Sequence, residues 1–327
     1  MRVVAIRGAG GPEVLGIEER ASPSPGKGDV RVEVAAAGLN RADLLQRRGF
    51  YPAPPGTVPD VPGLEYAGTI VEVGEGVART RIGDRVMGLV AGGAMATELI
   101  VPDAETLPVP EPLSLVEAAA VPEVFATVWD AVWVQAGLGR GETLLVHAIG
   151  SGIGTAAIQL AHAFGARIVG TSRTESKLAR CRALGLDEGI FVAQDASFAS
   201  AVGEATNGAM ANVILDTVGA AYLEENVRAL ARRGTIMVIG LVGGVVGPLP
   251  LGLLLRTRGR IIGSTLRSRS PIEKRAIAEG FTRELIPRFE DKTLAPVIEH
   301  VMPMSDIAKA HALLESNETF GKLVLTW

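Results

Sequence analysis

Two stretches of this sequence carry residue types that could hold an anionic ligand. The first is HAIGSGIGTAAIQLAHAFG, residues 147–165, where small residues separate a hydrophobic run from an amphipathic one. A pyrophosphate needs a strand end, a tight turn clear of obstructing side chains, and the positive end of a helix. This order of residues supplies all three, with Gly150, Ser151, Gly152, Ile153 and Gly154 as the candidate cradle. The spacing is not a clean GxGxxG, and a βα turn that binds nothing is the alternative. The second stretch is GTSRTESK, residues 170–177. An NAD-binding fold places an acid there, about 20 residues past the glycines, to hold the ribose 2′-hydroxyl. The acid is missing, and Ser172, Arg173 and Lys177 surround the position. Glu175 has the right offset but falls in the first turn of the following helix, behind Thr174 as its cap. A hydroxyl and two cations suit a 2′-phosphate, hence NADPH. Alternatively, Arg173 and Lys177 are a solvated helix start.

The elements that must position these residues follow from periodicity. TLLVHA is a short buried strand, and Ile153, Ala156, Ala157, Leu160, Ala161 and Phe164 recur at helical spacing until Gly165. ARIVGTS, EGIFVA, ANVILDTVG, TIMVIGLVG and RIIGSTL read as further strands, with TESKLARCRAL and YLEENVRALARRG as helices among them. Such alternation predicts a doubly wound parallel sheet. Before it, about the first third of the chain is β-rich, with DVRVEVAAAGLN and AGTIVEVGEGV punctuated by Gly and Pro. After it come a helix near Ser270–Glu290, another starting at Ser305, and the strand GKLVLTW.

Composition limits the function classes. At 327 residues the chain suits two domains. A net charge of −4 with no basic run gives no support to nucleic acid as a partner. The lone Cys181 allows no intramolecular disulfide, and no apolar targeting core follows Met1, so a cytoplasmic location is expected. The uncharged stretch Thr235–Leu255 is long enough to span a bilayer, but its glycines and prolines suit a buried strand and an apolar loop, and no membrane role is expected.

The chain resembles the zinc-free quinone oxidoreductase (zeta-crystallin-like) branch of the medium-chain dehydrogenase/reductase superfamily. The residues that carry the resemblance are GLNRADLLQRRGFY at 38–51, VPGLEYAGTIVEVG at 61–74, GDRV at 83–86, HAIGSGIGTAAIQLA at 147–161, VILDTVG at 213–219, STLRSRS at 264–270 and FGKLVL at 320–325. Ser151 and LRSR at 266–269 are most similar to the tumour-suppressor-inducible quinone oxidoreductase subgroup. The resemblance implies an α/β fold: a Rossmann domain at 123–266, and a GroES-like, partly open β-barrel catalytic domain built from 1–122 and 267–327. It places the active site in the cleft and implies a homodimer through Rossmann edge strands, with RGRIIGSTL as the seam.

Zinc-dependent relatives carry a cysteine after the third barrel strand and a histidine in GHE. Here these positions are Asn40 and Leu64, and one Cys with four scattered His offers no metal set. Without zinc, the fitting substrate is already an electrophile: a quinone or an activated alkene. Tyr51 is the candidate hydrogen-bond donor to the acceptor, or else an aromatic packed beneath its loop. The resemblance implies that Asn40 touches the nicotinamide ribose and that Asp43 holds a polar network; Asp43 could equally be a helix cap. Thr127, the backbone of Gly240, Leu241, Leu266 and Arg267, and Lys322 would line the cofactor. For Thr127 a buried helix position is the plain alternative, and for Lys322 a surface strand position. His147 and Asp216 are expected to be structural. Phe191-Val192 stands where the subgroup has a polar residue, which weakens the implied NADPH preference. The implied function is an NADPH:quinone oxidoreductase. An enoyl or alkenal reductase, or an NADPH-binding sensor or structural protein, are the alternatives.

Overall fold

The computed structural model describes residues 1–192 and 196–327. Ala193, the last residue of the expected EGIFVA strand, lies outside the described residues. The chain divides into two compact units, Met1–Ala126 with Leu266–Trp327, and Thr127–Thr265.

The first unit is built on a seven-stranded sheet. Asp29–Leu39 is its spine, because Val30, Val32 and Val34 face the core while Arg31 and Glu33 face outward. Burying each of those valines contributes about 1.5–3 kcal/mol. One edge of this strand pairs antiparallel with Glu65–Val73. Its other edge is shared: the first half pairs with Glu98–Pro102 and the last residues with Lys322–Thr326. Ile298–Pro303 extends the sheet past Lys322–Thr326, and Arg85–Leu89 and Thr106–Pro108 extend it past Glu65–Val73. Tyr66, Ile70, Met95, Ile307 and Leu323 are part of the core this sheet packs against.

The second unit is a six-stranded, all-parallel sheet. In chain order its strands are Thr143–Val146, Arg167–Ser172, Glu188–Phe191, Ala211–Asp216, Leu230–Val238 and Arg260–Gly263. In space the third lies at one edge, followed by the second, first, fourth, fifth and sixth. This is the Rossmann order, and it reverses between the first and fourth strands, where open α/β sheets take their ligands. The α/β class read from the sequence is the class observed.

Two local expectations are corrected. YLEENVRALARRG is not one helix: the helix is Leu223–Arg228, and the chain is in strand from Leu230. Leu230 pairs with Ala211, yet Thr235 is already opposite Val213, so Ala231–Gly234 bulges out of register, with Arg233 at φ 67°. The apolar stretch from Thr235 runs through the strand end and an irregular loop to a short helix, Leu251–Thr257. Among the described residues no helix is long and apolar enough to cross a membrane.

Candidate active site

In the parallel-sheet unit the glycine turn has a definite geometry. The first strand ends at Val146, Ala148 takes a left-handed φ of 51°, and the Ser151 N–H donates to the Ala148 carbonyl at 2.9 Å. Ser151 then caps the helix Gly152–Phe164, its Oγ accepting from the Gly154 N–H at 3.2 Å. Gly154 has no substitute here, because a Cβ would lie 2.0 Å from the Ile149 carbonyl oxygen. Helix and turn therefore touch backbone to backbone. Thirteen residues of helix stand behind these N–H groups, enough for a full macrodipole.

The other nucleotide candidates of this unit lie at strand ends. Ser172 closes a small turn, its Oγ donating to the Thr174 carbonyl and accepting the Thr174 N–H. Arg173 is exposed beside it, and Lys177 is half-buried on the helix Glu175–Ala183. Phe191 is 47% exposed at the end of its strand. Gly240 lies against the Thr217 backbone, where a Cβ would meet the Thr217 carbonyl oxygen at 2.9 Å. Among the described residues the Thr217 Oγ1, directly after the fourth strand, is buried without a partner. Glycine backbone, a capped helix start and an orphan hydroxyl at the switch point together fit a dinucleotide. Leu241 is exposed, and Thr127 is half-buried on the helix Pro122–Trp129.

His147 and Asp216 are both buried and joined through Asn226. The fitting tautomer of buried His147 donates from Nε2 to Asn226 Oδ1 at 2.6 Å and accepts at Nδ1 from Thr171 Oγ1 at 2.9 Å. Burial holds its pKa down to about 4, although the Asn226 bond favours the charged form. Asp216 Oδ1 accepts the Val218 and Gly219 N–H groups, and Oδ2 accepts from Asn226 Nδ2.

The sheet unit Met1–Ala126 with Leu266–Trp327 gathers a second set. Lys322, 4% exposed, donates from Nζ to the Leu39 carbonyl at 3.0 Å, to Asn40 Oδ1 at 2.6 Å and to Glu65 Oε1 at 2.6 Å. It is an interior lysine, not a surface one. Asn40 Nδ2 also donates to Glu65 Oε1, at 2.9 Å, and Glu65 Oε2 accepts the Glu123 N–H at 2.8 Å. Asp43 closes the network from below. Its Oδ2 accepts the Asn40 N–H, which starts the helix Arg41–Arg47, and its Oδ1 accepts the Gly63 N–H. Burial outweighs these two bonds and pushes its pKa up to about 6.

Arg267 lies within the same unit. Its guanidinium donates to the Ala91 and Tyr51 carbonyls and to Gln46 Oε1, and sits 4.9 Å from the centre of the Tyr51 ring. Tyr51 is half-buried, and burial raises its hydroxyl pKa. The structure thus brings Asn40, Asp43 and Lys322 into one network and Tyr51 and Arg267 into an adjoining pair. Sequence reading missed Glu65, Glu123 and Gln46. Glu65 had left a signal, a carboxylate inside the apolar run LEYAGTIV; Glu123 had not, since an acid in a first helical turn is ordinary. Among the described residues no group of three or more His, Cys, Asp or Glu is arranged to hold a metal ion.

Comparison with known proteins defines the class. Residues 152–280 match the family model of zinc-binding dehydrogenases, and residues 26–111 that of the alcohol dehydrogenase GroES-like domain. The chain is 31% identical to a quinone oxidoreductase-like protein 2 homolog of Nematostella vectensis, over 92% of this chain and 82% of that protein. Among solved structures, Escherichia coli quinone oxidoreductase complexed with NADPH aligns over the whole of both chains, with a TM-score of 0.90 and 28% identity. An NAD-dependent alcohol dehydrogenase aligns as fully, with a TM-score of 0.89 and 34% identity. The chain belongs to the quinone oxidoreductase-type family of medium-chain dehydrogenases/reductases.

Proposed function

We propose that this protein is a zinc-independent, NADPH-dependent quinone oxidoreductase. The observation that carries the cofactor assignment is the Ser151-capped helix start, set against the turn by Gly154 in a Rossmann-ordered sheet. When bound, NADPH supplies a hydride from C4 of its nicotinamide. The N–H groups of Gly150, Gly152 and Ile153 hold the pyrophosphate, in a turn that Ser151 and Gly154 shape through their own bonds to Ala148 and to each other. Ser172, Arg173 and Lys177 hold the 2′-phosphate. Asn40, Thr127, Gly240, Leu241, Leu266, Arg267 and Lys322 line the nicotinamide half. The Tyr51 hydroxyl orients the acceptor oxygen. Asp43 positions Asn40 through its backbone. The quinone oxidoreductases among the relatives support a quinone as acceptor.

The test is loss of NADPH absorbance with an ortho-quinone, a para-quinone and an enoyl thioester, each with and without chelator. Chelator-insensitive quinone turnover is expected. Turnover of the thioester alone would make the protein an enoyl reductase. NADPH binding with no turnover would make it a sensor or structural protein. In the same assay Arg173→Ala should lose roughly tenfold or more of the preference for NADPH over NADH, the value of a charge-assisted bond. Unchanged discrimination would sink the 2′-phosphate assignment.

We further propose a cytoplasmic homodimer. Among the described residues Arg260–Gly263 is an edge strand with one neighbour, and before it in sequence Val242, Val245, Val246, Leu251 and Leu255 are all exposed. Sedimentation should show a dimer for the wild type and a monomer for Leu255→Glu combined with Val246→Asp. A monomeric wild type would refute the seam.

A further inference from the structure

A cavity of about 30 Å³ lies within the sheet unit Met1–Ala126 with Leu266–Trp327. Leu64, Leu107 and Phe281 give it apolar walls, and Glu105, Glu123, Arg267 and Lys274 are its ionisable lining. It has room for roughly two waters or the edge of a small ring. Of the two acids, Glu105 faces the cations Lys274 and Arg275. Glu123 is placed differently. Its own N–H is held by Glu65, and the neighbouring Glu65 side chain opposes ionisation of the Glu123 carboxyl.

The cations nearest Glu123 are engaged elsewhere. Lys322 spends its three donors on Leu39, Asn40 and Glu65. Arg267 is directed to Ala91, Tyr51 and Gln46. Among the described residues the Glu123 carboxyl itself forms no hydrogen bond. Its charged surroundings are Glu65 and Asp43, which oppose ionisation, and Lys322 and Arg267, which favour it less than burial disfavours it. The phenol of Tyr51 also faces it. The result is a carboxyl held up to about 8, and so a neutral acid at physiological pH.

We propose that Glu123 is the proton donor to the reduced acceptor. This rests on the oxidoreductase reading. The hydride carries both electrons to the acceptor. The Glu123 O–H bond breaks as the O–H bond on the acceptor oxygen forms, and the Glu123 carboxylate regains its proton from solvent through the cavity. The apolar walls and the neighbouring Glu65 favour the neutral acid of this half-buried side chain between turnovers.

Full-length wild type, Glu123→Gln and Glu123→Asp decide the matter. Infrared difference spectra without NADPH, wild type minus Glu123→Gln, should show a protonated carboxyl band at neutral pH that disappears as pH rises through about 8. With a quinone, Glu123→Gln should lower kcat by about 100-fold. Its NADPH affinity should stay within about twofold of wild type, which also reports that it folds. Glu123→Asp should recover part of the rate. Wild-type kcat should fall above about pH 8, and the residual rate of Glu123→Gln should not. A wild type that reduces no acceptor at all would fell the oxidoreductase reading and this proposal with it. An active wild type with an equally active Glu123→Gln, or with no such carboxyl band, would overturn the proposal alone.

Discussion

Lys322→Met should lower the unfolding free energy by roughly 3–5 kcal/mol, the largest loss expected from any single side chain of the network. Lys322 and Glu65 are 4% and 0% exposed, and their ion pair is 2.6 Å long. Exposed pairs are worth about 1 kcal/mol or less, because water screens them and solvates either partner alone. Neither relief exists here. Without Nζ the Glu65 carboxylate keeps only the Glu123 and Asn40 N–H groups, and the Leu39 carbonyl loses its side-chain donor. Methionine fills nearly the same volume, so the loss reports charge and not packing. Urea denaturation of the wild type, Lys322→Met and the double variant Lys322→Met/Glu65→Gln measures it. The double variant should recover most of the loss, since neither partner of the pair is left buried and charged. A single-variant loss below about 1 kcal/mol would mean that water reaches this pair.

Gly154→Ala should raise the Kd for NADPH by more than about tenfold, or about 1.4 kcal/mol. The added Cβ would meet the Ile149 carbonyl oxygen at 2.0 Å, its carbonyl carbon at 2.4 Å and its Cα at 2.5 Å. Those atoms are backbone, so no rotamer change relieves the clash. Either the helix start or the turn has to move, and the N–H groups proposed to hold the pyrophosphate move with it. The overpacking itself should lower stability by about 1–3 kcal/mol. Fluorescence titration and thermal unfolding separate the two effects. Undiminished NADPH affinity in a folded Gly154→Ala would show that this turn is not the phosphate cradle.

What the sequence disclosed depended on whether the signal was local. The glycine turn was legible because its strand, cap and helix are consecutive residues, 143–164. The helix expected across 222–234 was misread for the converse reason. Leu, Ala and Arg favour a helix locally, but Leu230 pairs with Ala211 of the neighbouring strand, and that distant pairing overrides propensity. Asn40, Asp43 and Lys322 were named only through family resemblance. Nothing in their spacing says that Lys322 meets Glu65 across a separation of 257 residues. For Arg267 the expectation concerned its backbone, whereas the structure adds a buried side chain that organises the Tyr51 loop. Glu123 looks like any helix-start acid until Glu65, from a strand well before it in sequence, is seen to hold its N–H.

The shared edge of Asp29–Leu39 also sets the order of events during synthesis. The last residues of that strand have no ladder partner on that edge until Lys322–Thr326 has been made. Glu65 likewise waits for its counter-charge through the translation of the whole parallel-sheet unit, which is contiguous and can close by itself. A ribosome-bound chain therefore carries one finished unit behind one unfinished unit with an open strand edge. Chaperone dependence and co-translational aggregation should concentrate on the amino-terminal unit, although it is the first to emerge.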